Sequence, residues 1–386
     1  MPLAFTAVIS STARVYAEFP TSGFELIDSA AEIEEETLPT YRPEKFYPIH
    51  LGETLNGRYQ ILAKLGYGVT STVWLGRDLV DSKFVALKVY VTGQEERNHE
   101  LSVYRRINEV DTNHPGRRCI RKLYDHFSIK GPNGQHVCLV HEPLGMTAND
   151  VLSWRPGKVM NLGSMKACIR QLLVALDFLH SVCGIIHTDL QLKNLLVPAP
   201  EDSALLKFEE KEFETPSPRK VSGDRTIYTS PFFPPSNGIP LLSDFGEARF
   251  ADEKVHTDDI MPNPYRAPEV ILKESWDYKV DIWNVAMVAW DIVCSHTLIY
   301  GKNSDGIFDD RVHVADSAQR CKLSSVFWDE NGNWKDLAPI PEVTLEGLAA
   351  DVDGEDKEGF LRWLRMALRW NPEERPSALD SCMTIG

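Results

Sequence analysis

The sequence predicts an α+β fold of two lobes, a small N-terminal lobe built on an antiparallel sheet and a larger helical C-terminal lobe. Two patterns carry that expectation. Between residues 59 and 89 apolar side chains alternate with other residues and are punctuated by Gly66 and Gly68, as in strands joined through a glycine-containing turn. After Glu142-Pro143-Leu144-Gly145 the apolar spacing changes to that of helices packed on one face.

Taken in order, residues 1–55 lack sustained periodicity, carry the acidic run Glu32 to Glu36 and contain Pro39, Pro43 and Pro48, so they read as an irregular N-terminal extension. The small lobe is expected over residues 56–142. There Tyr59, Ile61, Ala63 and Leu65 alternate, Gly66 and Gly68 turn the chain, and Val73 and Leu75 resume, which predicts a hairpin. Phe84 to Val89 reads as a third strand and Val137 to His141 as a short buried one. The break at Glu142-Pro143-Leu144-Gly145 places a hinge, and residues 143–386 form the second lobe. Ile169, Leu172, Leu173, Leu176 and Leu179 recur at helical spacing and lead into Cys183-Gly184-Ile185-Ile186-His187, a helix followed by a strand and loop. Residues 198–240 hold Glu209-Glu210-Lys211-Glu212, Pro216, Pro218, Pro231, Pro234 and Pro235, a composition that suggests a flexible insert. Val280 to Cys294 and Gly359 to Arg369 are the remaining expected helices, and no internal repeat is visible.

Composition narrows the function. At 386 residues the chain can bury a substantial core, as two or three folding units or as one two-lobed molecule. Its formal charge of -15 argues against direct nucleic-acid binding and favours basic partners, although acidic residues also serve simply to keep a surface soluble. The 7 cysteines stand singly, without metal-ligand spacing, and read as reduced core residues. Met1 to Ser10 lacks a basic leader, and the longest apolar stretch, Val280 to Cys294, is too short to span a bilayer and contains Asp281 and Asp291. No membrane role is expected, and a monomer in the cytoplasm, the nucleus or both is.

A series of short motifs points further. Leu65-Gly66-Tyr67-Gly68-Val69-Thr70-Ser71-Thr72-Val73, Val85-Ala86-Leu87-Lys88, His187-Thr188-Asp189 with Asn194, Asp244-Phe245-Gly246, Ala267-Pro268-Glu269, Asp281-Ile282-Trp283 and Asn371-Pro372-Glu373-Glu374-Arg375-Pro376 follow in the order and rough spacing of a protein kinase. The chain resembles that superfamily over residues 46–380, which implies a bilobal protein-kinase-like fold using ATP and Mg2+. Within it the chain most resembles the serine/arginine-rich-protein (SR-protein) kinases, in particular a fungal-type branch. That likeness rests on Asn56-Gly57-Arg58-Tyr59, Ser71-Thr72-Val73-Trp74-Leu75, His187-Thr188-Asp189, the insert before Asp244 and Tyr265-Arg266.

The chemistry suits those residue types. Phosphoryl transfer asks for position and charge compensation rather than covalent chemistry. Glycines at 66 and 68 let backbone N–H groups approach phosphate oxygens, and Ser71 stands where a third glycine is usual. The expected nucleotide-binding set is Leu65, Gly66, Tyr67, Gly68, Val69, Thr70, Ser71, Thr72, Val73, Ala86, Lys88, Glu142 and Leu144. Lys88 would hold phosphates while paired to a helical carboxylate. Glu100 is preferred to Glu95 and Glu96 because Leu101, Tyr104 and Ile107 give its helix an apolar side. Asp189 is the expected base or orienter of the acceptor hydroxyl, and Asn194 and Asp244 the expected Mg2+ ligands. As turn caps, Asp189 and Asp244 would be explained singly but not in their joint motif contexts. Glu269 and Arg375 are expected as a buried, purely architectural ion pair.

The chain departs from the family in four ways. Thr188 replaces the arginine that usually docks an activation-segment phosphate, which implies activity without phosphorylation between Phe245 and Ala267. Gln191 replaces the usual catalytic-loop lysine and Pro262 the threonine that bridges to it. Lys193, placed as a basic residue is in tyrosine kinases, is the expected replacement charge. Its sign removes a glutamate that often receives substrate arginine, so preference for Arg/Ser-rich basic proteins would fall on acids such as Asp305, Asp309 and Asp310, or be weaker. Finally, a helical docking element usual after residues 312–315 looks shortened near residues 315–321. The resulting expectation is a serine/threonine kinase acting on Arg/Ser-rich, splicing-factor-like proteins. The alternatives are a nucleotide-binding pseudokinase scaffold, favoured by Gln191 and Pro262, and a kinase with a tyrosine or small-molecule acceptor, favoured by Lys193 and Pro262.

Overall fold

The computed structural model describes residues 18–93, 98–223, 225–253, 255–317, 329, 335, 337–338, 344–352 and 354–385. The chain divides into two compact units, residues 1–98, 122–145 and 199–235, and residues 99–121, 146–198 and 236–386. The expected shortening near residues 315–321 lies, beyond residue 317, outside the described residues.

The first unit is organised by an antiparallel sheet of β1 (Thr54–Leu55), β2 (Tyr59–Tyr67), β3 (Ser71–Asp78), β4 (Lys83–Tyr90), β5 (Leu123–Gly131) and β6 (Gly134–His141), in spatial order β1-β2-β3-β4-β6-β5. Phe84, Val85, Ala86 and Leu87 are buried in succession along β4, so both faces of the sheet must be covered, because successive side chains point to opposite sides. On one face Ile61, Trp74, Val85, Leu87, Val89, Cys138 and Val140 pack with Ile49 and Leu55 and with Tyr228 of the insert. On the other, Leu62, Ala63, Leu75 and Phe84 pack with Leu205 and Phe208, also of the insert.

The insert therefore corrects the composition-based expectation of a flexible excursion. It contains a helix, Asp202–Glu214, and a hairpin pairing Arg219–Ser222 with Arg225–Tyr228. Burial of Leu205 and Phe208 favours docking by about 1.5–3 kcal/mol each. A buried ion pair between Arg77 of β3 and Glu209 of the insert helix adds direction, and the same guanidinium lies 4.4 Å from the Phe84 ring centroid.

The acidic run of the N-terminal extension is likewise engaged. Glu34 and Glu35 face the ammonium of Lys64, a β2 side chain with no solvent exposure, and Lys64 also donates to the Tyr228 carbonyl at 3.1 Å. Glu36 pairs with Lys220 of the insert hairpin at 2.8 Å, and Glu34 accepts from the Ser230 hydroxyl at 2.8 Å and its N–H at 2.9 Å. Extension, sheet and insert are thus cross-linked by charges whose partners lie far apart in sequence.

The second unit holds the helices. α1 (His99–Glu109) is followed by α2 (Leu162–Asp177), whose N-terminus is capped by Asn161 accepting from Ser164 N–H at 2.9 Å. Met165, Ile169, Leu172, Leu173 and Leu176 form its buried stripe. A wider turn over Phe178–Cys183 continues α2 until Gly184, at φ +62°, adopts the left-handed conformation that ends it. α3 (Lys279–Val293) is buried on nearly every side, which explains its unbroken apolar run. α4 (Lys357–Ala367) packs through Phe360, Leu361, Trp363 and Leu364. Arg375 forms two hydrogen bonds to the Glu269 carboxylate, at 2.5 and 2.7 Å, both side chains buried, as expected for an architectural pair. Short strands absent from the sequence reading include Leu144–Thr147, which overlaps the expected hinge at Leu144 and Gly145.

Among the described residues 6 cysteines are free, and no helix is long and apolar enough to cross a membrane. Replacing Lys64→Met, which leaves Glu34 and Glu35 without their buried cation, should lower stability by about 3–5 kcal/mol in urea unfolding.

Candidate active site

The glycine turn and Lys88 lie in the first unit. β2 and β3 pair up to Tyr67↔Thr72, and the Gly68 N–H closes the turn on the Ser71 carbonyl at 2.8 Å. No atom lies within 4 Å of where a Gly66 Cβ would stand, so packing does not demand a glycine there, and its smallness matters only for what approaches from outside. Val73 is opposite Lys88, and Leu75 opposite Ala86, so these four side chains share one face of the sheet. Leu65 packs against the apolar cluster on that same face. Four of the expected nucleotide residues, Leu65, Val73, Ala86 and Lys88, are thereby aligned on one surface. Tyr67 and Val69 are exposed at the turn, Thr70 accepts from the Val91 N–H at 2.9 Å, and Thr72 accepts from the Trp74 indole at 2.9 Å. The Glu142 N–H is held by the Lys122 carbonyl at 3.0 Å, and Leu144 is buried.

The second unit holds the carboxylates. Ile185–Ile186 pairs with Arg249–Phe250, and Leu195–Pro198 pairs with Leu241–Leu242. The loops between those strands, residues 187–194 and 243–248, are therefore presented side by side. Direct bonds join them: Ser243 donates through N–H and hydroxyl to the Asn194 carbonyl at 2.9 and 3.0 Å, and the Thr188 hydroxyl donates to the Glu247 carbonyl at 2.5 Å.

Within the first loop, Asp189 is held at both oxygens. Gln191 Nε2 donates to Oδ1 at 2.8 Å, and Asn194 Nδ2 donates to Oδ2 and to the Asp189 carbonyl, each at 2.8 Å. Burial raises the pKa of Asp189. His187, Gln191 and Asn194 oppose that shift, and the charge of Asp244 adds to it, so Asp189 and Asp244 are close enough to sense each other. Phe245 is fully buried against His187 and, edge-on at 5.2 Å, against Tyr104 of α1. His99 Nε2 lies 2.5 Å from the Ala248 carbonyl, tying the start of α1 to the same segment. Glu100 is buried on α1, and Lys193 is exposed beside Asn194.

With its amide nitrogen engaged by Asp189, Asn194 offers a metal only its oxygen. No group of three or more His, Cys, Asp or Glu side chains suited to a metal occurs among the described residues. One amide oxygen plus the Asp244 carboxylate is a sparse, all-oxygen set. It fits Mg2+, which keeps most of its coordination for water and substrate phosphates, and does not fit a thiolate- or imidazole-seeking ion.

Sequence reasoning gave Asp281 no role in holding the loop. Its carboxylate is fully buried in α3 and receives the N–H groups of His187 at 2.8 Å and Thr188 at 2.9 Å, with His180 Nε2 at 2.8 Å. Thr188 stands at φ +64°, a region costing a β-branched residue of order 1–3 kcal/mol, and Asp244 at φ +63°. Asp281 stabilises the strained turn that presents Asp189. The segment before Ala267 is also anchored to α3: Tyr265 donates to Asp291, whose carboxyl burial pushes up to about 6, and Asn284 donates to the Tyr265 carbonyl at 2.6 Å. Asp281→Asn should cost about 1.5–3 kcal/mol in urea unfolding and strip exchange protection from the His187 and Thr188 amides.

The protein kinase domain model matches residues 59–384. A serine/threonine protein kinase of Aspergillus fumigatus is 41% identical over 374 residues, covering 93% of this chain and 91% of that protein. Serine/threonine-protein kinase SRPK of Physarum polycephalum is 28% identical over 395 residues, covering 92% of this chain and 91% of the relative. A crystal structure of a kinase domain superposes with a TM-score of 0.66 at 19% identity, covering 88% of this chain and 98% of that one, a likeness of fold alone. The chain belongs to the protein kinase family and is similar to serine/threonine protein kinases, with SR-protein kinases among its relatives.

Proposed function

We propose that this chain transfers the γ-phosphate of MgATP to serine or threonine hydroxyls in basic, Arg/Ser-rich proteins. The observation that carries the reading is the Asp189 carboxylate, fixed at both oxygens and lying near Asp244. In this reading Asp189 orients the acceptor hydroxyl and takes its proton, while the N–H groups around Gly66 and Gly68 and the ammonium of Lys88 hold phosphate oxygens. Glu100 is proposed to steady Lys88. Asn194 and Asp244 would hold Mg2+, which when bound offsets charge on the phosphates. Lys193, exposed next to Asn194, is proposed to add the positive charge that residue 191 lacks.

Independence from activation-segment phosphorylation has its own support. The buried Thr188 contributes no cation, and the segment is already tied by its own acids. Arg249 pairs with Asp258 at 2.9 Å, Lys273 with Asp259, and the Trp276 indole donates to the Asp258 carbonyl at 3.1 Å. Two fixed carboxylates thus do what an added phosphate would do elsewhere.

Preference for arginine-rich substrates rests chiefly on the net charge of -15. Of the three loop acids considered, Asp309 is bound by Arg311 and Asp310 lies 3.7 Å from Arg266. Attraction to basic proteins, repulsion from nucleic acid, monomeric action and a place in the cytoplasm, the nucleus or both complete the proposal.

Purified protein with MgATP should label an Arg-Ser peptide and not a tyrosine peptide, and Asp189→Ala should reduce the rate by about 10²- to 10⁴-fold. ATP binding without transfer to any acceptor would leave a scaffold instead. Lys193→Ala should lower turnover, and an unchanged rate would remove that residue from the mechanism. Phosphatase treatment should leave activity intact. Loss on dephosphorylation with recovery on rephosphorylation of Thr257 would overturn the independence proposed here.

A further inference from the structure

We propose that Gln191 is a positioning residue, whose side-chain amide fixes the rotation of the Asp189 carboxylate as one jaw of a two-amide clamp. The proposal rests on the reading of Asp189 as the group that orients the acceptor. A carboxylate held at one oxygen can still rotate about its last bond. Donors on both oxygens, Gln191 Nε2 on Oδ1 and Asn194 Nδ2 on Oδ2, each at 2.8 Å, remove that freedom.

The clamp is built into the backbone. Gln191 is extended, at φ -155° and ψ 162°, and its carbonyl accepts the Asn194 N–H at 2.9 Å, closing the turn that brings both amides back toward Asp189. Leu190 and Leu192, on either side of Gln191, are buried and anchor that turn. Both jaws are neutral. Residue 191 therefore supplies direction without charge, and any cation facing the transferred group must come from elsewhere in the site.

The test compares Gln191→Met, which keeps length but removes the donor, with Gln191→Lys, which restores a donor. Expected is a fall in kcat of about 10- to 100-fold for Gln191→Met, with KM for ATP and peptide and the urea midpoint near wild type, and substantial recovery in Gln191→Lys. Wild-type kcat in Gln191→Met overturns the proposal, as does a loss shared equally by KM and stability, or a lysine variant no better than methionine. Should Gln191→Met not fold, Gln191→Glu, which opposes Asp189 with an acceptor, replaces it and must fall below Gln191→Lys. Asp189→Asn run alongside separates the two levels. An inactive Asp189→Asn with unaffected Gln191→Met removes only the clamp, whereas an inactive wild type or a fully active Asp189→Asn overturns the underlying reading and the clamp with it.

Discussion

A carboxylate in the first turn of a helix buried on nearly every side is stable only if N–H donors replace its lost hydration, and Asp281 obtains two of them from the loop that follows Ile186. The dependence runs both ways. The loop satisfies the charge, and the charge holds Thr188 in the left-handed conformation that the turn toward Asp189 requires. From that point outward each bond follows: Thr188 to Glu247, Asn194 to Ser243, and Phe245 into the contact with His187 and Tyr104. Within the second unit these loops form one connected network rather than a set of independently placed side chains.

The motif residues were legible in the sequence because their chemistry restricts them to few types at fixed separations, and the strands and helices around them have clear apolar periods. The edge strand β5 was missed since its inward residues are only half-buried, giving a weak apolar signal. The insert helix escaped for a different reason. Its buried stripe is Leu205, Phe208, Glu209 and Glu212, so half of the hidden face is charged and a count of apolar residues sees no helix. Glu209 is compensated by Arg77, and Glu212 by Ser217 and Arg219. Such partners are settled by tertiary placement, and no local pattern announces them.

The same limitation explains the extension. A run of glutamates followed by prolines has the composition of a solvated tail, yet Glu35 is buried against Lys64. Lysine within a strand and glutamate in an irregular segment become mutually necessary only when both are withdrawn from water, since each alone carries a desolvation penalty. The apolar contacts of Tyr228, Leu205 and Phe208 bring the insert onto both faces of the sheet, and the ion pairs then select a single arrangement of extension, sheet and insert.

Thr188 and Gln191 follow one logic. At both positions the resemblance leads to a cation and the chain has a neutral hydrogen-bonding side chain. A cation there would act at a distance on groups that arrive later, an added phosphate in one case and the transferred phosphoryl in the other. A hydroxyl or amide acts only on what it touches, and what these touch is already in the unit: the Glu247 carbonyl and the Asp189 carboxylate. Long-range attraction is exchanged for contact geometry, so the order of the loop rests on groups already present in the unit. Lys193, exposed between Leu192 and Asn194, makes neither of the hydrogen bonds by which Gln191 and Asn194 hold Asp189, so the replacement charge proposed for it would stand outside the clamp.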